Sequence, residues 1–376
     1  MITPAFFVSS LKRHGIDFYA GVPDSLLKNL CAYLADHLDA AHNIIAANEG
    51  GAVGLAAGYH LATGRIPAVY MQNSGEGNAV NPLASLTDGD VYRIPLLLVI
   101  GWRGEPGIKD EPQHKKQGKI TLQLIEVMGI PYAVLSDRED EAARQLDEAA
   151  RRIGETGEAY ALVVRKDTFD TYKLAGRTDP QFPLGREEAI RTVAASLDAA
   201  DAVVSTTGMI SRELFEYRES AGQGHGRDFL TVGSMGHASQ IALGIALEQP
   251  DRRVCCFDGD GAVLMHMGSL AITGSLKPRN YLHVVFNNGA HDSVGGQPTV
   301  GLAIDLPAIA IASGYRKALA VSTKEELEKA LAAIPDEEGP LLLEIKVRKG
   351  NRKELGRPTT TPIDNKLGFM DFMQRK

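Results

Sequence analysis

The fold of this chain is decided by two stretches, VCCFDGDGA (residues 254–262) and HVVFNNGAHDSVGGQPT (residues 283–299). Each begins with a short apolar run and then changes abruptly to glycine, aspartate and asparagine. An apolar run of about four to eight residues bounded by turn-forming residues is typical of a buried strand. Both polar clusters therefore lie where a strand is predicted to end.

Short apolar runs alternate with longer amphipathic stretches along the whole chain, which is typical of βαβ units and mostly parallel sheets. In the first half this pattern predicts strands at residues 18–20, 43–46, 67–71, 96–100, 132–135 and 159–164. In the second half it predicts strands at residues 202–205, 229–232, 253–257, 282–286, 316–320 and 341–345. The fold class is therefore α/β, with two doubly wound, mostly parallel-sheet domains of similar topology.

The two halves are separated by residues 168–184, which contain Asp179, Pro180 and Pro183 but no apolar periodicity. This composition is typical of a linker, and we place the boundary near residue 180. The predicted organisation is a first domain at 1–170, a linker at 171–184, a second domain at 185–350 and a C-terminal tail at 351–376.

Two further segments are irregular in pattern. Residues 101–118 (GWRGEPGIKDEPQHKKQG) mix charges, prolines and glycines, and loops of this length without secondary structure are often functional. The alternative is a mobile surface loop. Residues 348–376 are polar until the sequence LGFMDFM, which predicts an extended tail whose apolar end packs against the protein.

The composition excludes several classes of protein. Of the 376 residues, 44% are hydrophobic and 23% charged, as in a soluble globular protein, and the net charge of −7 argues against a surface built for nucleic acid or anionic lipid. The apolar runs are far shorter than the roughly 20 residues that span a bilayer. The three cysteines form no CxxC pair, which favours a reducing compartment. We therefore predict a cytoplasmic protein without nucleic-acid or membrane partners.

The polar clusters predict a metal and phosphate site. In an open α/β sheet, ligands collect at the carboxyl ends of the strands, and Gly259 and Gly261 let the backbone approach a phosphate. Asp260 offers a carboxylate oxygen and Asn288 an amide oxygen, and both are ligands that suit Mg²⁺. A diphosphate held together with Mg²⁺ fits this pattern best.

Other nucleotide and metal motifs fit less well. An EF-hand calcium loop is excluded because Val263, Leu264 and Met265 occupy positions that require oxygen ligands or a turn glycine. The dinucleotide fingerprint lacks its third glycine, and neither GxSxG nor a P-loop sequence is present.

The GDG sequence followed by NN resembles the thiamine diphosphate-binding motif of the thiamine diphosphate-dependent decarboxylase superfamily. IIAANEGGAVGLAAGYHLATG (residues 44–64) resembles the segment that carries that superfamily's essential glutamate, here Glu49. The alternative role for Glu49 is a carboxylate that stabilises a helix N-terminus. The resemblance implies the thiamine diphosphate-binding fold, with a pyrimidine-binding domain first, a diphosphate- and Mg²⁺-binding domain second, and no middle domain.

Within the superfamily the chain resembles the phosphonopyruvate decarboxylase family, through the following stretches: GVPDSLL (21–27), MQNSGEGNAVNPL (71–83), residues 101–118, VGSMGHASQIALG (232–244) and NNGAHDSVGGQPT (287–299). This resemblance implies a carboxy-lyase that converts 3-phosphonopyruvate to phosphonoacetaldehyde and CO₂ in phosphonate biosynthesis. Glu76 is a departure, because the resemblance leads us to expect an uncharged residue there.

The resemblance also implies roles for individual residues. Glu49 would hydrogen-bond a ring nitrogen of the aminopyrimidine, and Met235 would lie under the bend of the cofactor, although a lone methionine is more often core filler. The implied cofactor-binding residues are Glu49, Thr207, Gly208, Gly233, Ser234, Met235, Gly259, Asp260, Gly261, Ala262 and Asn288. The implied Mg²⁺ ligands are Asp260, Asn288 and the carbonyl of Ala290.

Protonation of the carbon that loses CO₂ requires an acid, and the candidates are Asp24 and His114. The resemblance places a carboxylate at Asp24, whose alternative role is a helix N-cap. His114 lies in the predicted loop, where an ordinary pKa near 6.5 would suit proton transfer; the alternative is a solvated loop histidine.

Substrate recognition is predicted to use a local basic patch, because the substrate carries two anionic groups. Arg103 and Lys109 are the preferred candidates, since Arg suits bidentate contact with phosphonate oxygens. Ser25, Asn73 and Gln297 would add neutral donors. Lys115 and Lys116 either assist or simply solvate the loop.

Three alternatives stay open. Sulfopyruvate decarboxylase differs only in a sulfonate for the phosphonate, and a carboligase of the acetolactate synthase type usually carries a middle domain for which there is no room. A non-catalytic binding protein with this fold is disfavoured by Glu49, Asp260 and Asn288. The family architecture implies at least a homodimer with active sites at subunit interfaces, acting on a small anionic 2-oxo acid.

Overall fold

The computed structural model describes residues 1–175 and 182–375. The chain divides into two compact units, Met1–Arg177 and Thr178–Lys376, called here the N-terminal and C-terminal units. The predicted boundary near residue 180, and the middle of the predicted linker, lie outside the described residues.

The N-terminal unit is built on a six-stranded parallel sheet in the order β2-β1-β3-β4-β6-β5. Its strands are β1 (Tyr19–Gly21), β2 (Asn43–Ile45), β3 (Ala68–Gln72), β4 (Leu96–Gly101), β5 (Tyr132–Val134) and β6 (Ala159–Val164). Its helices are α1 (Pro4–Arg13), α2 (Lys28–His37), α3 (Glu49–Thr63), α4 (Glu76–Pro82), α5 (Pro112–Val127) and α6 (Glu139–Thr156). A 3₁₀ turn (Asn73–Gly75) and a π-helical turn (Leu83–Thr87) flank α4.

Both faces of this sheet are buried, which explains why its central strands are apolar throughout rather than alternating. Along β4, Leu97 and Val99 belong to the core that contains α1, α2 and α6 residues. Leu96, Leu98 and Ile100 point into the opposite core, with residues of α3, α4 and α5. Each face is therefore covered by helices, as the doubly wound prediction requires.

The C-terminal unit contains a second six-stranded parallel sheet, in the order β13-β14-β10-β9-β7-β8, and a small antiparallel hairpin, β11-β12. Its strands are β7 (Ala202–Ser205), β8 (Asp228–Leu230), β9 (Val254–Gly259), β10 (Tyr281–Asn287), β11 (Ala290–His291), β12 (Gln297–Pro298), β13 (Lys317–Val321) and β14 (Leu341–Lys346). Alternate residues of β9 enter two different cores, Cys255 and Phe257 on one face and Val254 and Cys256 on the other.

Eight α-helices among the described residues cover this sheet or end the chain: α7 (Arg186–Ser196), α8 (Met209–Ser220), α9 (Ala238–Glu248), α10 (Asp260–Met265), α11 (Ser269–Leu276), α12 (Leu306–Ala312), α13 (Lys324–Ala333) and α14 (Pro362–Gln374). Over the part of the chain that the structure describes, no helix combines the length and apolar character needed to cross a membrane.

All twelve predicted strands are present, with ends within two residues of the prediction, and the fold class is confirmed. Two local predictions are wrong. The irregular segment 101–118 ends earlier than expected, because Pro112 occupies the first turn of α5, where its fixed φ and missing N–H are tolerated. The tail is not extended to its end, because α14 follows the Thr361 N-cap. The predicted packing of its apolar end is confirmed, since Phe369 is buried beside Phe229.

Candidate active site

The predicted site residues of the N-terminal unit gather at one edge of its sheet. Asp24, Glu49, Asn73 and Arg103 each follow the carboxyl end of a strand, namely β1, β2, β3 and β4. These four strands are neighbours in one parallel sheet, so their carboxyl ends meet at the same edge. This is where an open α/β sheet binds its ligands.

Glu49 is the first residue of α3, and only 4% of it is exposed. Its Oε2 accepts a hydrogen bond from Asn78 Nδ2 at 2.7 Å. Helix capping does not explain this burial, because the N-cap is Asn48, whose side chain accepts from Gly51 N at 2.8 Å. Gly75 is needed beside the carboxylate, since a Cβ there would lie 2.2 Å from Glu49 Oε1.

Asp24 is fully buried, and it packs so closely on β4 that a Cβ on Gly101 would lie 2.0 Å from its Oδ2. It accepts from Leu26 N at 3.0 Å, while the N-cap of α2 is Leu27, so Asp24 is not the helix cap. Burial raises the pKa of Asp24 to about 6, although Arg103 opposes the shift. A carboxyl group with this pKa can both give and take a proton near neutral pH.

Arg103 is paired with a carboxylate that the sequence reasoning missed. Its Nε donates to Asp110 Oδ2 at 2.8 Å and its Nη2 to the second oxygen of the same side chain. Its Nη1 donates to Ser25 Oγ at 2.6 Å, which links Arg103 to the neighbour of Asp24. The guanidinium predicted to bind the substrate anion is thus bound to Asp110 in this structure.

Asn73 fixes the backbone of the same loop. Its Nδ2 donates to Arg103 O and to Thr121 Oγ1, both at 2.8 Å, and its Oδ1 accepts from Arg103 N at 3.1 Å. Asn73 is fully buried, so its side chain holds the start of the loop against α5. Lys109, Lys115 and Lys116, by contrast, are exposed.

His114 differs from its prediction in two respects. It lies in the first turn of α5, not in the loop, and it is 7% exposed because the segment around Gly104 packs directly on its backbone. Burial, and then the nearby Arg103 charge, lower the pKa of His114 to about 4 instead of leaving it near 6.5. Its ring is therefore neutral at pH 7 and is poorly suited to donate a proton as an imidazolium.

Glu76, the departure from the family pattern, is 2% exposed at the start of α4. Gln117 Nε2 lies 3.4 Å from its Oε2, and its Oε1 has no hydrogen-bond partner within residues 1–175 and 182–375. Burial raises the pKa of Glu76 to about 8. The side chain is therefore mostly protonated at pH 7 and behaves there as the uncharged residue that the resemblance leads us to expect.

The substitution Glu76→Gln tests this protonation state. Between the ordinary pKa of 4.5 and the folded value of about 8, the folded protein keeps a proton that the unfolded chain loses. The free energy of unfolding therefore falls as pH rises through this window, by up to about 1.4 kcal/mol per pH unit. Glutamine cannot ionise, so urea unfolding between pH 5.5 and 8 should show a shallower fall for Glu76→Gln.

The control for that experiment is Glu139→Gln, which changes an exposed glutamate in the first turn of α6 and should leave the pH dependence as in the wild type. Equal pH slopes for the wild type and Glu76→Gln would contradict a buried, protonated Glu76.

In the C-terminal unit the predicted cofactor residues also follow neighbouring strands. Thr207 and Gly208 follow β7, Gly233 follows β8, and Asp260 follows β9. Thr207 Oγ1 accepts from Gly233 N at 3.2 Å, so two of the predicted segments are in contact. Gly208 and Gly233 have φ of +104° and +77°, a region that favours glycine, and Ser234 has φ of +50°.

Asp260 and Asn288, the predicted Mg²⁺ ligands, are adjacent. Asp260 opens α10 and is 4% exposed, and its Oδ2 accepts from the Thr299 hydroxyl. Burial raises the pKa of Asp260 to about 6, and hydrogen bonds from Thr299 and from the backbone N–H of Asn288 oppose the shift. Asn288 is 9% exposed, and its Oδ1 accepts from Ala290 N at 3.0 Å.

The surrounding residues fit a bound diphosphate and Mg²⁺. A Cβ on Gly261 would lie 3.1 Å from the His291 ring and 3.5 Å from Met235 Cε, so Met235 lies beside the predicted phosphate loop. Gln297 is 1% exposed, and neither its Nε2 nor its Oε1 has a partner among the described residues. Buried polar atoms without a partner call for a ligand or water, and the buried carboxylate and amide oxygens are the donor types that Mg²⁺ takes.

Each of the two units contains a segment that matches a different family model. Residues 3–125 match "Thiamine pyrophosphate enzyme, N-terminal TPP binding domain", and residues 206–345 match "Thiamine pyrophosphate enzyme, C-terminal TPP binding domain". Fold, site and models define a thiamine diphosphate enzyme, whose cofactors are thiamine diphosphate and the Mg²⁺ usual in this class.

Curated relatives narrow the class. The chain is 36% identical to phosphonopyruvate decarboxylase of Streptomyces viridochromogenes, over 99% of this chain and 95% of that protein. It is 35% identical to phosphonopyruvate decarboxylase of Streptomyces hygroscopicus (99% and 94% covered) and 28% identical to sulfopyruvate decarboxylase of Methanosarcina acetivorans (86% and 85%). The chain belongs to the phosphonopyruvate decarboxylase family of carboxy-lyases.

Proposed function

We propose that this protein decarboxylates 3-phosphonopyruvate to phosphonoacetaldehyde and CO₂, using thiamine diphosphate and Mg²⁺, as a step of phosphonate biosynthesis. The observation that carries the proposal is the likeness to phosphonopyruvate decarboxylase over almost the full length of both chains. Support comes from Glu49 and Asp260, both buried at the carboxyl edges of their sheets, where a cofactor would bind.

Thiamine diphosphate supplies an electron sink for the electron pair that remains when CO₂ leaves. In this proposal Glu49 would hydrogen-bond a ring nitrogen of the aminopyrimidine, and Met235 would support the cofactor from below. Its diphosphate would be held by Thr207, Gly208, Gly259, Gly261 and Ala262. The carbonyl of Gly233 would accept from the exocyclic nitrogen of the aminopyrimidine, and Ser234 would lie beside it. Asp260, Asn288 and the Ala290 carbonyl would hold the Mg²⁺.

Asp24 is proposed to donate the proton to the carbon that has lost CO₂. Burial raises the pKa of Asp24 to about 6, so part of the Asp24 population is protonated near neutral pH and can donate a proton. The carboxylate that remains after donation is readily protonated again. Ser25 Oγ lies 3.4 Å from Asp24 Oδ1 and is held by Arg103, so the acid sits in an ordered hydrogen-bonded group. His114, neutral at pH 7, would serve as a hydrogen-bonding residue instead.

The phosphonate is proposed to bind at the loop between β4 and α5, which carries Arg103 and Lys109. Lys109 is exposed and offers a point charge to an anion. Arg103 could contact the phosphonate only by exchanging Asp110 for it, and otherwise acts through Ser25. Gln297 offers unpartnered neutral donor and acceptor atoms, whereas Asn73 acts by holding the loop.

The proposal includes assembly into at least a homodimer with active sites at subunit interfaces, as the family architecture implies. A cytoplasmic location, inferred from the cysteine content, stays a prediction. The predictions of assembly and of location are independent of the chemistry proposed for the site.

The proposed substrate is tested by measuring kcat/KM for 3-phosphonopyruvate and for sulfopyruvate at saturating thiamine diphosphate and Mg²⁺. We expect phosphonopyruvate to be preferred by at least about tenfold, which corresponds to about 1.4 kcal/mol of transition-state binding. A preference for sulfopyruvate would replace the proposed substrate with that of the more distant relative and leave the decarboxylase chemistry intact.

A further inference from the structure

The side chain of Asn288 is held by the carboxylate of Asp292, a residue that the sequence does not identify as part of the site. Asp292 begins the 3₁₀ turn Asp292–Val294 after β11. Its Oδ2 accepts from Asn288 Nδ2 at 2.7 Å, from Arg186 Nη1 at 2.9 Å and from Gly350 N at 3.0 Å. One oxygen therefore makes all three contacts.

Asp292 is itself fixed by a buried ion pair. Arg186, 5% exposed, donates from Nε and Nη2 to the two oxygens of Glu213, both at 2.9 Å, while Nη1 is left for Asp292. Glu213 is 2% exposed. Arg186 thus joins two carboxylates, and this network holds Asp292 in place beside Asn288.

The orientation of the Asn288 amide decides whether it can bind a metal. An amide has an oxygen at one end and an NH₂ group at the other, and only the oxygen can coordinate Mg²⁺. A carboxylate accepts hydrogen bonds but cannot donate them, so Asp292 fixes the NH₂ end toward itself. Oδ1 is then turned away from Asp292 and accepts from Ala290 N at 3.0 Å, while the backbone N–H of Asn288 is hydrogen-bonded to Asp260.

We propose that Asp292, held by Arg186 and Glu213, is a positioning residue that fixes the metal-binding orientation of Asn288. If the amide were reversed, its NH₂ group would face the cation and repel it. The inference rests on the proposed Mg²⁺ site at Asp260 and Asn288. Asp292 is not a ligand in this scheme and acts only through Asn288.

The test compares Asp292→Ala with Asp292→Asn. Mn²⁺ is titrated into each protein with thiamine diphosphate present, and the free ion is measured by electron paramagnetic resonance. Loss of a partner that orients a metal ligand typically weakens metal binding about 10- to 100-fold, and we expect that increase in Kd for Asp292→Ala. Asp292→Asn should stay within about threefold of the wild type, because one acceptor oxygen can keep all three contacts.

A purely structural role is separated by a control and a second readout. Asp228→Ala removes a carboxylate from another buried arginine pair, Arg218–Asp228, in the same unit. It should lower the thermal unfolding midpoint and leave the Mn²⁺ Kd of the folded protein unchanged. For Asp292→Ala, excess Mg²⁺ should restore most of kcat.

Wild-type Mn²⁺ affinity in Asp292→Ala would overturn the inference, and so would equal weakening in Asp292→Asn, since charge and not amide orientation would then be responsible. If the wild-type protein itself bound no Mn²⁺ in the presence of thiamine diphosphate, the metal assignment of the proposed function would fail first.

Discussion

Replacing Glu49 with glutamine is expected to lower kcat by about 1,000-fold while thiamine diphosphate binding stays within about threefold of the wild type. The proposed role depends on the acid–base chemistry of the carboxyl group, and such groups typically contribute 10²- to 10⁴-fold. The fold should persist, because the side-chain oxygen of glutamine can still accept from Asn78 Nδ2, now 2.7 Å from Glu49. Steady-state kinetics and calorimetric titration with the cofactor measure the two quantities.

Glu76→Gln is the matched control, because it makes the same change at another buried glutamate of the N-terminal unit. It should retain most of the activity at pH 7, where Glu76 is already mostly protonated. Undiminished kcat in Glu49→Gln would refute the role assigned to Glu49, whereas lost cofactor binding would show that Glu49 acts in binding and not in acid–base chemistry.

Removing the metal, or the Asp260 carboxylate that is proposed to bind it, is expected to lower activity by an amount similar to that expected for Glu49→Gln. Chelation with EDTA should abolish turnover of the wild type, and Mg²⁺ should restore it. Asp260→Ala should lower kcat/KM by at least about 100-fold at ordinary Mg²⁺ concentrations, because a buried anionic ligand for the cation is lost. We would measure the activity after EDTA treatment, the metal content of the protein, and the activity restored at high Mg²⁺ concentration.

Asp251→Ala, at an exposed position between α9 and β9, serves as the control and should respond to EDTA and Mg²⁺ as the wild type does. Full activity in protein from which all detectable metal has been removed would contradict the assignment of Asp260 and Asn288 as ligands.

The strands could be predicted from sequence because a doubly wound sheet leaves a strong local signal. Strands buried on both faces, such as β4 and β9, are continuous apolar runs bounded by turn residues. The β11-β12 hairpin was missed because its strands are two residues long and lie in a polar, glycine-rich stretch. The start of α5 is not visible in the sequence, because Pro112 is as typical of a loop as it is of the first turn of a helix.

The positions of Glu49, Asp260 and Asn288 at strand ends were likewise predictable, because strand ends are visible in the sequence. The residues that pair with the side chains of the site could not be predicted. Asp110 against Arg103 and Arg186 against Asp292 join side chains whose contacts depend on the folded backbone. The protonated Glu76 and the neutral His114 result from burial, which sequence pattern does not give for a single polar residue.

The most direct test of the proposed function is the product formed from 3-phosphonopyruvate by protein freed of cofactor and metal, before and after thiamine diphosphate and Mg²⁺ are added back. Phosphonoacetaldehyde is measured through its aldehyde group, and CO₂ is measured as the amount released. We predict equal amounts of aldehyde and CO₂ only when both cofactors are present. No aldehyde from protein shown to bind both cofactors, or turnover that needs neither of them, would contradict the proposed function.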